Sequence, residues 1–588
     1  MSKFSTRSAI MAVAAAGMAF AAAATDALAQ EKPASILPGQ SLAGNYLAAK
    51  VARTDDDTTA ASTFYRSALL KDPENPELQL QAFNAFIANG DFDEGVEIAN
   101  QLMLAERAPE FARIVLAIDH IRSQEWSSAE QQLDITWRSS LDRLIAGLVR
   151  AWARVGEGDA DKALAIVDGL EGPDWFDLFV QYHGGLMALQ GGDVDEALRR
   201  LQIAFDNKAG GQGASLTYLR VVAALAAAHW QHGNAQEAAD MLQTGLMLQP
   251  QHPLYRAMKK SLDAGDPLMP LVATPQEGAA EVMLNIGTAI NKEGGQEFAR
   301  IYLQLANQLA PEQDSVTIQL ADLYDQQQQV ARANELFSRI QPSSPHYRIA
   351  RLEIALNLDE LEQLDAAREV FDELIKDDPS DLTAFLSYGE VLARHEKFGE
   401  AIPIYKAYAD RLDEKQRYHW SLFYRLGIAY ERTKQWPLAE AAFKQALELY
   451  PDHPSVLNYL GYSWVDMNMN LQEGLDMIRR AVQQRPNDGY MVDSLGWAYY
   501  RLGQYEDAVA DLERAVSLRP GDPTINDHLG DAYWRTGRRI EAIFQWRHAL
   551  SLDPPDGGAA QIEKKLVDGL PDDGQDVAKP DAEDDTKG

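Results

Sequence analysis

Cysteine does not occur anywhere in the 588 residues. Disulfides, thiolate nucleophiles and zinc–thiolate sites are excluded together, and so is a lipoprotein anchor, whose acylated residue must be cysteine. Basic residues are also few: 54 lysines and arginines face 88 aspartates and glutamates, for a formal net charge of −34. Such a body repels phosphate backbones, so nucleic acid and anionic membrane surfaces are poor partners, and the plain consequence of the charge is solubility. After the N-terminus no apolar run is long enough to cross a bilayer. Catalytic signatures are missing as well: there is no phosphate-binding glycine loop, no G-x-S-x-G, no H-E-x-x-H and no run of strands to present one. His229 and His232 stand three apart on one expected helix but have no third ligand, so they read as packing or surface residues. Asp55, Asp56 and Asp57 read as a capped turn. No catalytic residue, cofactor or metal ligand is nominated.

What is present begins with an address. Lys3 and Arg7 form a positive start, residues 9–24 a short alanine-rich apolar stretch, and Ala27-Leu28-Ala29 the small-x-small pattern that signal peptidase needs. Residues 1–29 are therefore expected to be a cleaved signal peptide, with Gln30 as the first mature residue. With no lipid anchor and no span, the expected location is the periplasm; secretion is the alternative.

The body is built on a repeat. Gly427, Gly461, Gly496 and Gly530 recur at spacings of 34, 35 and 34 residues. Each lies inside an apolar pattern of helical period, as in YRLGIAYER and DSLGWAYYR, and is followed by an aromatic: Tyr430, Trp464, Tyr499, Tyr533. A second helical segment follows in each unit, with landmarks Ala439, Phe443 and Ala446 in the first and Ala542, Trp546 and Ala549 in the last. Each unit closes on proline: Pro451, Pro486, Pro520, Pro554. Two helices approach closely only where their contact carries glycine or alanine, and proline stops the second helix because it has no N–H. The extra residue between Gly461 and Gly474 falls in a turn, where it does least harm.

These landmarks and their period resemble the tetratricopeptide repeat family. The resemblance implies an all-α solenoid of antiparallel helix pairs. Weaker copies continue upstream: Ile286, Gly287, Ala299, Leu303, Ala306 and Pro311; Ala355, Ala367, Phe371 and Pro379; Tyr388, Gly389, Ala401 and Tyr405; and, near the start, Ala61, Tyr65, Ala68 and Pro73. About fourteen pairs are expected between residues 43 and 554, with the phasing between 110 and 207 degenerate. Pro267, Pro270 and Pro275 interrupt the array, so 30–263 reads as an N-terminal array, 264–279 as a Pro-rich linker and 280–570 as a C-terminal array. Residues 559–570 form its capping helix. The four glutamines at 326–329 read as an exposed turn, and 571–588 as a disordered acidic tail.

In this family the first helix of each pair lines a concave groove that holds peptides. Carried onto this sequence, the groove residues are Tyr462, Asp493, Trp497, Tyr500, Arg501, Asp527, Trp534 and Arg535. Aromatics and arginines dominate binding energy at interfaces. Versions that clamp a C-terminal carboxylate use lysines and asparagines there; these helices offer Asp493 and Asp527 and no lysine, which implies a basic and aromatic partner. The function implied is a non-catalytic scaffold of the cell envelope that binds protein or peptide segments. The alternative is an accessory subunit of an envelope-biosynthesis, secretion or polysaccharide-export machine that positions a catalytic partner.

Overall fold

A computed structural model describes residues 38–104, 108–207, 215–555 and 557–571; the signal segment, and the acidic tail apart from Pro571, lie outside them. Among the described residues there are helices and no strand. Fourteen helix pairs run from Leu42–Thr54 with Thr58–Leu69 to Pro523–Arg535 with Arg539–Ser551, interrupted after the sixth by the single helix Pro253–Ala264, and Gly558–Asp568 closes the series. Pairs are regular through the stretch where phasing was obscure: Glu110–Arg122 with Trp126–Leu133, Ser140–Gly156 with Ala160–Asp168, and Phe176–Gly191 with Val194–Asp206.

Local chemistry sets the ends. Asp57, Asn75, Asp488 and Asp522 accept hydrogen bonds from the free amides of the first turn that follows them. Pro76, Pro454 and Pro523 occupy the opening turn, where no amide hydrogen is needed. Pro451, Pro486 and Pro520 each stand just after a C-cap. The extra residue of the Gly461 unit sits in a turn that carries Asn468 and Asn470 at positive φ, the side chain that tolerates this best after glycine.

The described residues form two compact units that divide at Val370 and Phe371. Residues 264–279, expected as a linker, lie inside the first. There Leu268 and Val272 are buried, the carbonyls of Val272 and Leu271 accept from Gln190 (2.9 Å) and Gln313 (3.3 Å), and Pro275 opens the next helix behind a Thr274 cap. Within each unit first helices touch the first helices of neighbouring pairs: Ser140–Gly156 meets Phe176–Gly191, and Gly489–Arg501 meets Pro523–Arg535. Second helices make no comparable contact with one another, so the first-helix side is the inner, concave one.

The first unit closes on itself. Helix Pro275–Lys292 packs against four earlier first helices, Glu110–Arg122, Ser140–Gly156, Phe176–Gly191 and Ser215–Gln231, and its partner Gln296–Leu309 packs against Pro76–Asn89. A polar seam finishes the closure. Arg300 donates to Asp56 (3.2 Å), Gln329 to the Asp56 carbonyl (2.7 Å), and Arg332 to Thr58 (2.7 Å), Thr59 and Asn89 (2.7 Å). The aspartate turn and the glutamine turn, expected to be bland, are the two sides of this seam. Beside it lies a polar cleft of about 340 Å³ lined by Asn89, Gln304, Asn307, Tyr324, Arg332 and Arg339.

Candidate functional site

The concave face of the second unit is carried by helices Leu382–Arg394, Trp420–Arg432, Pro454–Asp466, Gly489–Arg501 and Pro523–Arg535. The apolar sides of the last three turn into two cores, one around Leu457, Ile478 and Val492, the other around Leu512, Leu529 and Trp546. Burying each such side chain contributes roughly 1.5–3 kcal/mol. This anchoring fixes where the inner-face residues stand.

Those residues form a ladder from one repeat to the next. Arg425 donates to Glu390 (3.1 Å), Tyr459 to Glu431 (3.1 Å), and Arg501 faces Asp466 at 4.0 Å. His528 bonds Asp493 (3.0 Å), Arg535 donates to the Tyr500 hydroxyl (3.3 Å), and Lys565 of the closing helix donates to both Asp527 and Asp531 (2.8 Å each). Trp497 stacks between Tyr500 (4.7 Å between centroids) and His528 (4.0 Å). Trp534 lies on Trp546 at 5.3 Å and beneath Arg539.

The eight nominated residues thus share one face, but none is fully exposed. Asp493 and Tyr500 are buried; Tyr462, Trp497, Arg501, Asp527, Trp534 and Arg535 are half-buried. Trp534 is covered from the C-terminal side, where Gly569 sits against its ring and the Pro571 carbonyl accepts from Arg535 (2.7 Å). Asp493 and Asp527, which implied a basic partner, are met by the chain's own His528 and Lys565. The sequence reading passed over His528, Asp531 and Lys565. A signal existed for such pairs: Asp466 and Arg501, like Asp493 and His528, stand one 35-residue period apart with opposite charge.

Electrostatics follow from burial. Burial works against charge on His528, but Asp493, with Asp527 and Asp531 behind it, more than offsets this and holds the imidazole above its ordinary range. Burial pushes Asp531 up to about 6, with Lys565 opposing. Burial also drives the Tyr462 phenol up. Among the inner-face atoms closed off from solvent, Asn458 Oδ1, Trp497 Nε1, Arg501 Nε and Asp527 Oδ1 have no hydrogen-bond partner among the described residues. A buried polar atom in this condition costs about 1–3 kcal/mol. No group of three or more acidic or histidine side chains among the described residues is placed to hold a metal. His232 bonds Asp195 (2.8 Å) and His229 is half-buried. No helix among them is long and apolar enough to cross a membrane.

Sequence profiles described as tetratricopeptide repeat match residues 52–118, 352–416, 420–453 and 524–556, and one described as TPR repeat matches 496–537. A TPR repeat-containing protein of Pseudomonas aeruginosa is 26% identical over 196 residues, 33% of this chain and 32% of the relative. The match spans about a third of that relative's length. Among solved structures, the hetero-tetramer Cut9–Hcn1 of the APC/C is similar over 89% of this chain and 96% of its own, at 14% identity and a TM-score of 0.36. YrrB, a TPR protein with an unusual peptide-binding site, is similar over 33% of this chain and 98% of its own, at 20% identity and 0.27. MamA is similar over 29% of this chain and 97% of its own, at 21% identity and 0.26.

Proposed function

We propose that this chain, a tetratricopeptide-repeat protein, is a non-catalytic scaffold of the cell envelope that holds partner protein segments along the inner face of its second unit. The observation that carries the reading is the half-buried row Asn458, Tyr462, Trp497 and Arg501 on two successive first helices, Pro454–Asp466 and Gly489–Arg501. Tyr462 and Trp497 stand one 35-residue period apart, which suits a segment lying across the repeats and packed on both. The acids of this face are already paired, so the partner need not be basic. The signal-like start favours export, and with no cysteine to carry a lipid anchor the periplasm is the proposed place of work.

Photo-crosslinking side chains placed singly at Asn458 and Thr524 on the inner face, and at Ala441 on the outer, test this in intact cells. Adducts at the inner positions and none at Ala441 support the groove. Adducts only at Ala441, or none at any position, overturn it.

A further inference from the structure

The cleft beside the closing seam of the first unit holds a cation that lacks a carboxylate of its own. Asn89 and Gly90 of an early repeat line one side, and Gln304, Asn307, Tyr324 and Arg332 of two late repeats line the other. Arg332 commits both Nη atoms to neutral oxygens, those of Thr58, Thr59, Asn89 and Gln329, and its guanidinium lies over the Tyr324 ring at 5.2 Å. No ion pair reaches it among the described residues, whereas nearby Arg300 pairs with Asp56, and Arg66 with Asp91 and Glu94. The one acid in the lining, Glu335, is exposed and bonded to Arg339 at 2.9 Å. Two guanidinium groups against one carboxylate leave the cleft positive, in a chain whose formal net charge is −34. Two buried residues add unused polar capacity. The Tyr324 hydroxyl accepts from Gln304 Nε2 (2.8 Å), so its own hydrogen is left without an acceptor, and Gln304 Oε1 receives no hydrogen bond among the described residues. Gly90, at φ +90°, makes room for this amide: an added Cβ would stand 3.0 Å from Gln304 Oε1.

We propose that this cleft is a binding site for a small carboxylate, its charge set against Arg332 and Arg339 and its polar body against Gln304 and Tyr324. A guanidinium is the side chain best matched to a carboxylate, and the charge-assisted bond is roughly twice as strong as a neutral one. The volume of about 340 Å³ lies at the low end of small-molecule sites, roughly 300–1,000 Å³, so a di- or tricarboxylic acid fits and a folded segment does not. The lining comes from residues 89–90 on one side of the seam and 304–339 on the other. A ligand held there bridges the two ends of the closure and stabilises the closed first unit, because it binds the closed form alone. The groove proposed for the second unit is a separate surface, and this inference does not depend on it.

The test titrates succinate, glutarate and citrate into the full chain by calorimetry at constant ionic strength, with succinamide as the uncharged counterpart of succinate. At least one acid should bind and raise the thermal midpoint, and succinamide should bind at least tenfold more weakly than succinate. Arg332→Gln should lose at least tenfold. Arg332 also belongs to the seam, so three further variants separate the two roles. Tyr324→Phe and Arg339→Gln alter the cleft and no seam bond, and each should lose about threefold; they decide the matter should Arg332→Gln not fold. Thr59→Ala removes a seam bond and lines no part of the cleft, and it should bind as wild type does. Binding by none of the three acids, equal binding of succinamide, or a loss in Thr59→Ala as large as that in Tyr324→Phe overturns the proposal.

Discussion

A Cβ added to Gly427 would stand 2.6 Å from Cε1 of Phe443, sixteen residues further along the chain. The same offset links Gly496 to Leu512 (2.6 Å), Gly287 to Leu303 (3.0 Å) and Gly185 to Leu201 (2.6 Å). The glycine makes room for the large residue of the second helix, beyond the alanine, such as Ala439, that its spacing suggested as the opposing group. Gly427→Ala should therefore destabilise the second unit by about 1–3 kcal/mol through overpacking. Gly399→Ala, with nothing within 4 Å, should be neutral or slightly stabilising. Urea unfolding of both variants checks the contrast; equal midpoints would show that Phe443 moves aside without cost.

Lys565→Ala should loosen the C-terminal end, because Asp531 is buried and Lys565 is its cation. Leaving that acid alone costs about 3 kcal/mol, and adding Asp531→Asn should restore much of the loss. Limited proteolysis after residue 551, followed by mass spectrometry, reports the release of helix Gly558–Asp568.

Acid should weaken the first unit through His183. This imidazole is fully buried beside Trp152, and burial, more than any neighbour, holds its pKa down at about 4 against an ordinary 6.5. The unfolded chain then binds a proton that the folded chain refuses. Stability is complete above pH 6.5 and falls as pH drops from 6.5 towards 4, by ~3 kcal/mol in all. His183→Gln should flatten that part of the profile, measured by denaturant unfolding at pH 7 and pH 4.5.

Processing should remove residues 1–29. Intact mass of the protein recovered from fractionated cells is expected to place Gln30 first and the chain in the periplasmic fraction. A cytosolic chain that retains Met1 contradicts the export proposal.

How much of this was legible depended on range. Pairing, turn positions and the closing helix were readable because they rest on landmarks within one 34-residue period, such as Gly530, Trp546 and Pro554. The inner face was readable as a face, since helical period alone assigns Trp497 and Arg501 to one side. Its state was not: whether Trp534 is free or covered depends on Gly569, and whether Asp527 is open depends on Lys565, 38 residues away. Still less visible was the seam, where Asp56 meets Arg300 across 244 positions with no periodic signal to announce it. The prolines at 264–279 were read for the helix they forbid, yet Pro275 is the residue that starts one.

The seam also bears on the order in which the protein is made. Synthesis delivers the N-terminus first, so Asp56 and Thr58 wait for more than two hundred further residues before Arg300, Gln329 and Arg332 exist to meet them. Ordinary repeat arrays settle neighbour by neighbour, and the second unit, whose contacts run between adjacent helices, is free to do so as it emerges. In the first unit the loop to be closed is nearly the whole unit, and closures of that length slow the final step of folding. A nascent chain halted before Arg332 would hold its early helices with one face uncovered, which makes that interval the one in which a holding chaperone has most to shield.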